Sequence, residues 1–144
     1  MCKHIRVVLP NNPGEAATVL DQLARSSESS FNVLGYMLSD LGDTGILYLL
    51  VTHHAEAYLL LKDVYKNRVA EKEALVVSVP HKPGTLLPVL SALAKQQINV
   101  RTSYQAFSIK GEALLVIEPD SETELLRAKE CMTEMGATIL TEQP

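Results

Sequence analysis

The chain has 144 residues, 47% of them apolar and 21% charged, and a formal net charge of −4 at pH 7. It is too apolar for a disordered chain, and without a run of Lys or Arg it has nothing to track a nucleic-acid backbone. No apolar run reaches the ~20 residues that span a bilayer, and Met1-Cys2-Lys3-His4 lacks the apolar core of a secretion signal, so the chain reads as cytoplasmic with no membrane partner.

Ile5 to Leu9 is a short apolar run closed by Pro10, which has no N–H to offer a strand ladder, and it predicts the first strand. Asn12-Pro13-Gly14-Glu15 then reads as a helix start, with Asn12 as cap, Pro13 in the first helical position and Glu15 closing a capping box. Ala16, Val19, Leu20 and Leu23 hold the i, i+3, i+4, i+7 spacing of one buried helical face. After the polar stretch Ser26–Ser30, Phe31 to Ser39 and Gly45 to Val51 read as a hairpin about the turn Asp40-Leu41-Gly42-Asp43. Ala57, Leu60, Leu61 and Val64 restore the helical period, and strand character returns from Val69, giving the order βαββαβ.

The same order then repeats. Pro10-Asn11-Asn12-Pro13-Gly14 is answered by Pro80-His81-Lys82-Pro83-Gly84, an offset of 80 − 10 = 70 residues. Ala16, Val19, Leu20, Leu23 and Ala24 fall opposite Leu86, Val89, Leu90, Leu93 and Ala94 at that offset, so the buried face is repeated along with the turn. Phe31-Asn32-Val33 is answered by Ile98-Asn99-Val100 at an offset of 67, which places a three-residue insertion within Ser26–Ser30. The second copy runs from Leu75–Val79 through Thr85–Lys95, Asn99–Phe107 and Ala113–Ile117 to a final helix and strand. Pro88 fits that copy's first helix if Thr85 is its cap, since the first four helical N–H groups have no intrahelical acceptor. Ser121 to Glu124 is a capping box, with Leu125, Ala128, Met132 and Met135 as a buried stripe ended by Gly136. Val69 to Val79 holds no Gly, which predicts two rigidly joined units, 1–72 and 73–144, sharing one uninterrupted strand. The predicted fold class is α+β.

An apolar strand, an Asn-x-Pro-Gly turn, an amphipathic helix and an apolar-Asn-apolar strand together resemble the ACT domain family, over nearly the whole chain and twice. Asn11-Asn12-Pro13-Gly14 matches the family's polar turn, and Pro83-Gly84-Thr85-Leu86 its Pro-Gly-x-Leu; Ala16 and His81 depart from the family's usual Leu and Asn or Asp. The resemblance implies two ferredoxin-like units in tandem, each an antiparallel sheet with helices on one face, that bind amino acids at interfaces between paired units.

A Gly at the mouth of a helix lets backbone approach a ligand with no Cβ in the way, and the helix start presents free N–H groups suited to a carboxylate. The ammonium of an amino acid would need acceptors such as the Asn11 side-chain oxygen or strand carbonyls near Asn32 and Val33. The candidate ligand-binding residues are therefore Asn11, Asn12, Pro13, Gly14, Glu15, Asn32 and Val33, with His81, Gly84, Thr85, Leu86, Asn99 and Val100 in the second copy. A bland reading competes: Pro-Gly simply makes a tight turn, and His81 and Lys82 are solvated.

Cys2 at a mobile N-terminus and Cys131 on a helical pattern read as free thiols, and His53-His54 as helix-entry residues rather than a metal site, because adjacent positions face apart. Tyr58 and Tyr65, seven residues apart on one helix, read as packing residues. No nucleophile–base pair or phosphate loop with Lys is present, so the reading is a non-enzyme with no cofactor and no metal. Ile46 to Val51 is apolar on both strand faces, and Leu34, Tyr36 and Leu38 add a second apolar face, which predicts a homodimer covering the sheet face that the helices leave open. The expected function is a regulatory protein that senses a small amino acid at the first copy's turn and the facing unit and modulates a metabolic enzyme. The rival expectation is a dimerisation subunit that binds an enzyme with no small ligand.

Overall fold

The computed structural model describes residues 1–26 and 30–144, so the insertion expected within Ser26–Ser30 lies largely outside the described residues. The fold is mixed α/β. In chain order its elements are β1 (Cys2–Pro10), α1 (Glu15–Ala24), β2 (Val33–Asp40), β3 (Thr44–Val51), α2 (His54–Tyr65), β4 (Val69–Ser78), α3 (Leu86–Lys95), β5 (Val100–Phe107), β6 (Ala113–Pro119), α4 (Glu122–Glu134) and β7 (Thr138–Ile139). A 3-10 turn, Lys66–Arg68, leads into β4. The contacts fall into two compact units, Lys3–Lys72 with Pro144, and Glu73–Gln143 with Met1–Cys2.

In the N-terminal unit β1 and β3 are antiparallel from Ile5 opposite Leu49 to Pro10 opposite Thr44, and β3 pairs antiparallel with β2. Since β1 also pairs with β4, the strand order is β2-β3-β1-β4. Ile5, Val7 and Leu9 alternate to one side of β1, where Leu47, Leu49 and Val51 of β3 join them under Val19 and Leu23 of α1 and Ala57, Leu61 and Tyr65 of α2. Two-residue spacing on the strands and 3.6-residue spacing on the helices are thus what bring this core together. The C-terminal unit repeats the plan: β6 lies antiparallel to both β4 and β5, β7 pairs with β4, and the order is β5-β6-β4-β7. Its core joins Leu75, Val77, Leu115 and Ile117 to Val89 and Leu93 of α3 and Leu125, Ala128 and Met132 of α4.

Several expectations need correction. Helix α1 begins at Glu15 with Gly14 as its cap residue, at φ 87° and with no side-chain hydrogen bond, so Asn12 is not the cap, Pro13 lies outside the helix and Glu15 closes no capping box. The left-handed backbone at Gly14 starts the helix two residues later than the Asn12 cap would have done. Cys2 is no loose end: it is fully buried in β1, and its thiol donates to the carbonyl of Glu142 at 3.3 Å. Leu20, Val64 and Met135, assigned to buried stripes, are exposed, because the inward arcs of α1, α2 and α4 are narrower than the apolar ones. The reason given for a dimer also weakens, since Tyr48 and Leu50, on the β3 face opposite Leu47 and Leu49, are 6% and 0% exposed within the single chain.

Candidate functional site

Each copy's strand-to-helix turn lines an open cavity, and the two cavities differ in chemistry. In the N-terminal unit a cavity of about 250 Å³ is lined by Asn11, Asn12, Glu15, Ser39 and Asp40, among others. Pro13 and Gly14 shape this turn without lining the cavity. The Asn11 carboxamide donates from Nδ2 to Asp40 Oδ1 at 3.0 Å and to the Gly42 carbonyl at 2.7 Å, while Asp40 Oδ1 accepts from the Gly42 amide at 2.7 Å. The turn is therefore laced to the β2–β3 loop by its own side chains, and Glu15 and Asp40 put two carboxylates into the cavity lining. With Gly14 as cap residue, no side chain meets the first amides of α1.

In the C-terminal unit the cavity measures about 610 Å³ and is lined by Pro80, His81, Lys82, Gly84, Thr85, Leu86, Leu87 and Gln105, with Val79 and Pro83. Gly84 repeats the left-handed conformation of Gly14, at φ 83°. Thr85 is the cap residue of α3, but its hydroxyl donates to the Lys82 carbonyl at 3.1 Å rather than accepting from the helix. Leu86 and Leu87, the first residues of α3, line the cavity at a helix start with no capping side chain, and Pro88 has no N–H to present. His81 meets Phe107 edge-on, with ring centroids 6.5 Å apart.

The remaining candidates lie elsewhere. Val33 opens β2 opposite Val51, at the far end of the strand from Asp40, and the Asn32 carbonyl is taken by the Thr52 amide at 3.0 Å. Likewise Val100 pairs with Pro119, and the Asn99 carboxamide donates to Asp120 at 2.9 Å. Because β2 and β5 each run in the same direction as the strand that leads into the turn, it is their C-terminal ends, Ser39–Asp40 and Gln105, that reach the cavities. Sequence reasoning missed these residues, although following the strand directions of a βαββ order would have found them.

A separate polar cluster was not foreseen. His54, only 5% exposed at the start of α2, places Nε2 2.9 Å from Glu71 Oε2, and the Lys3 ammonium donates to Glu71 Oε1 at 3.0 Å. Hydrogen bonds from His54 and then Lys3 hold the Glu71 carboxyl below the usual carboxylate range. His54 Nδ1 is buried with no hydrogen-bond partner among the described residues. No group of three or more His, Cys, Asp or Glu is arranged to hold a metal among those residues.

No family model and no curated protein matches the sequence. Solved structures do. A Bacteroides thetaiotaomicron protein, BT0572, superimposes with a TM-score of 0.78 at 26% identity, over 96% of this chain and 91% of that one. The ligand-free regulatory subunit of aspartate kinase from Thermus thermophilus follows, with a TM-score of 0.61 at 15% identity, covering 92% of this chain and 91% of that one. Aspartokinase alpha and beta subunits give 0.57 at 14% identity, covering 92% and 90%. These aspartate kinase structures are ACT-domain proteins. The chain has an ACT-type fold. In this ACT-type chain the matches cover 96% and 92% of the residues and so extend through both units. No helix among the described residues is long and apolar enough to cross a membrane.

Proposed function

We propose that this ACT-type chain is a non-catalytic regulatory protein that binds an amino acid at its strand-to-helix turns and modulates a partner enzyme. Its two halves, 1–72 and 73–144, are read as ferredoxin-like ACT units. The strand orders β2-β3-β1-β4 and β5-β6-β4-β7 support that division, because each places the unit's own strands in the order 2-3-1-4. The name of the Thermus thermophilus relative, a regulatory subunit of aspartate kinase, supports the regulatory role and the enzyme partner.

The observation that carries the reading is the pair of cavities at turns 70 residues apart, each entered by a left-handed Gly and a helix start without a capping side chain. A packing turn alone needs no open cavity beside it. A thermal-shift screen against the twenty amino acids tests it: a ligand at 100 times its Kd adds about 2.7 kcal/mol of stability. No shift with any amino acid overturns the reading in favour of a subunit that acts by protein contacts alone. A homodimer remains part of the proposal, supported now by Tyr36 and Leu38 on β2 and by Leu41, which are 63%, 53% and 60% exposed.

A further inference from the structure

The two turns occupy equivalent places in the repeat but have opposite chemistry. At the N-terminal turn the cavity carries two carboxylates, Glu15 and Asp40, and no Lys or Arg. At the C-terminal turn it carries Lys82 and no carboxylate, and its remaining walls are largely Val79, Pro80, Pro83, Leu86 and Leu87. The exchange is residue for residue: Thr85 stands at the place of Glu15, Lys82 at that of Asn12 and Leu86 at that of Ala16, each 70 positions on.

The volumes differ as well. About 610 Å³ falls within the ~300–1,000 Å³ typical of small-molecule pockets, and about 250 Å³ falls below it. The smaller cavity is also crossed by the hydrogen bonds from Asn11 to the β2–β3 loop, whereas Thr85 turns its hydroxyl back to the Lys82 carbonyl and leaves the larger one open.

We infer that the C-terminal cavity is the ligand site and that it selects an α-amino acid with an apolar side chain. This rests on the amino-acid-binding reading above and names the ligand class for it. The Lys82 ammonium and the Leu86 and Leu87 amides receive the carboxylate, which is the one charge the cavity complements. The ligand side chain lies on Pro80, Pro83 and Leu87, an apolar wall that offers a second charge no partner. Gln105 supplies the polar acceptor for the ammonium. A basic amino acid is disfavoured by Lys82 and an acidic one by the apolar wall.

Isothermal titration calorimetry of the full chain with L-leucine, L-phenylalanine, L-aspartate and L-lysine tests the assignment. Leucine or phenylalanine is expected to bind at least on the order of tenfold more tightly than aspartate or lysine. Lys82→Glu and Leu87→Ser each are expected to weaken that binding on the order of tenfold or more. Both side chains are exposed, so the variants keep the fold, and Lys129→Ala, which removes a positive charge from α4, leaves binding unchanged. Tighter binding of lysine or aspartate, or apolar binding that survives Lys82→Glu, overturns this assignment while leaving amino-acid binding in place. Absence of binding by all four, together with a flat thermal screen of all twenty, removes both readings.

Discussion

Glu71 is the residue whose environment makes the clearest demand on solution behaviour. Two hydrogen-bond donors, His54 Nε2 and the Lys3 ammonium, meet its carboxylate, and they lower its proton affinity relative to a free side chain. In the unfolded chain that carboxyl protonates near ~4.3. In the folded chain it stays ionised to lower pH, so across the interval between the two values the unfolded state binds more protons and stability falls as the pH falls. Urea midpoints from pH 7 to pH 3 are expected to drop less steeply for Glu71→Gln than for the parent chain within the carboxylate range. Equal slopes would show that the His54–Glu71–Lys3 contacts are not kept in solution. None of this was legible in the sequence: His54 and Glu71 are 17 residues apart on different elements, and His53-His54 carries no local sign that one ring is buried and the other exposed.

At the scale of single elements, the four helices show which signals a sequence carries. The start of α4 was legible because a side chain defines it: the Glu124 amide donates to Ser121 Oγ at 3.2 Å. The start of α1 was not, because a backbone conformation defines it. Asn12-Pro13-Gly14-Glu15 satisfies a side-chain capping pattern letter by letter, yet the positive φ of Gly14 moves the start two residues on. Two substitutions separate these cases. Ser121→Ala is expected to cost about 1 kcal/mol through the lost cap. Gly14→Ala is expected to cost a comparable amount, on the order of 1 kcal/mol, with no steric part, since an added Cβ would meet nothing within 4 Å and only the left-handed backbone resists it. Chemical denaturation of both variants checks this, and a neutral Gly14→Ala would mean that the turn relaxes freely. The candidate site divides along the same line. Residues on the turns themselves were found from motif spacing, while Ser39, Asp40 and Gln105 were missed because strand direction, rather than nearness in sequence, brings them there.

Across the whole molecule, the 70-residue offset was the strongest signal in the chain, and periodicity placed most elements to within a few residues of their observed bounds. The expected dimer was argued from β3 and β2 together, and of these Tyr36 and Leu38 on β2 stay exposed while β3 does not. Hydropathy marks β3 as apolar on both faces but cannot tell whether the chain covers both itself, and Leu47 through Val51 are all buried without a second copy. The side chains left for a partner are those of β2 and its loop. Light scattering after size exclusion is expected to give twice the chain mass at micromolar concentration, and Tyr36→Lys combined with Leu38→Lys is expected to return it to the single-chain mass. A parent chain that runs at single-chain mass rejects the dimer. Matching exposure on α3, at Leu86 and Leu87, belongs to the ligand assignment and is unaffected by that result.

The thiol of Cys2 rests against the carbonyls of Leu140 and Glu142, which sets residues separated by about the whole length of the chain side by side within one unit. Cutting the chain before Leu140 is therefore expected to strip both acceptors from Cys2 and to uncover its thiol to an alkylating reagent.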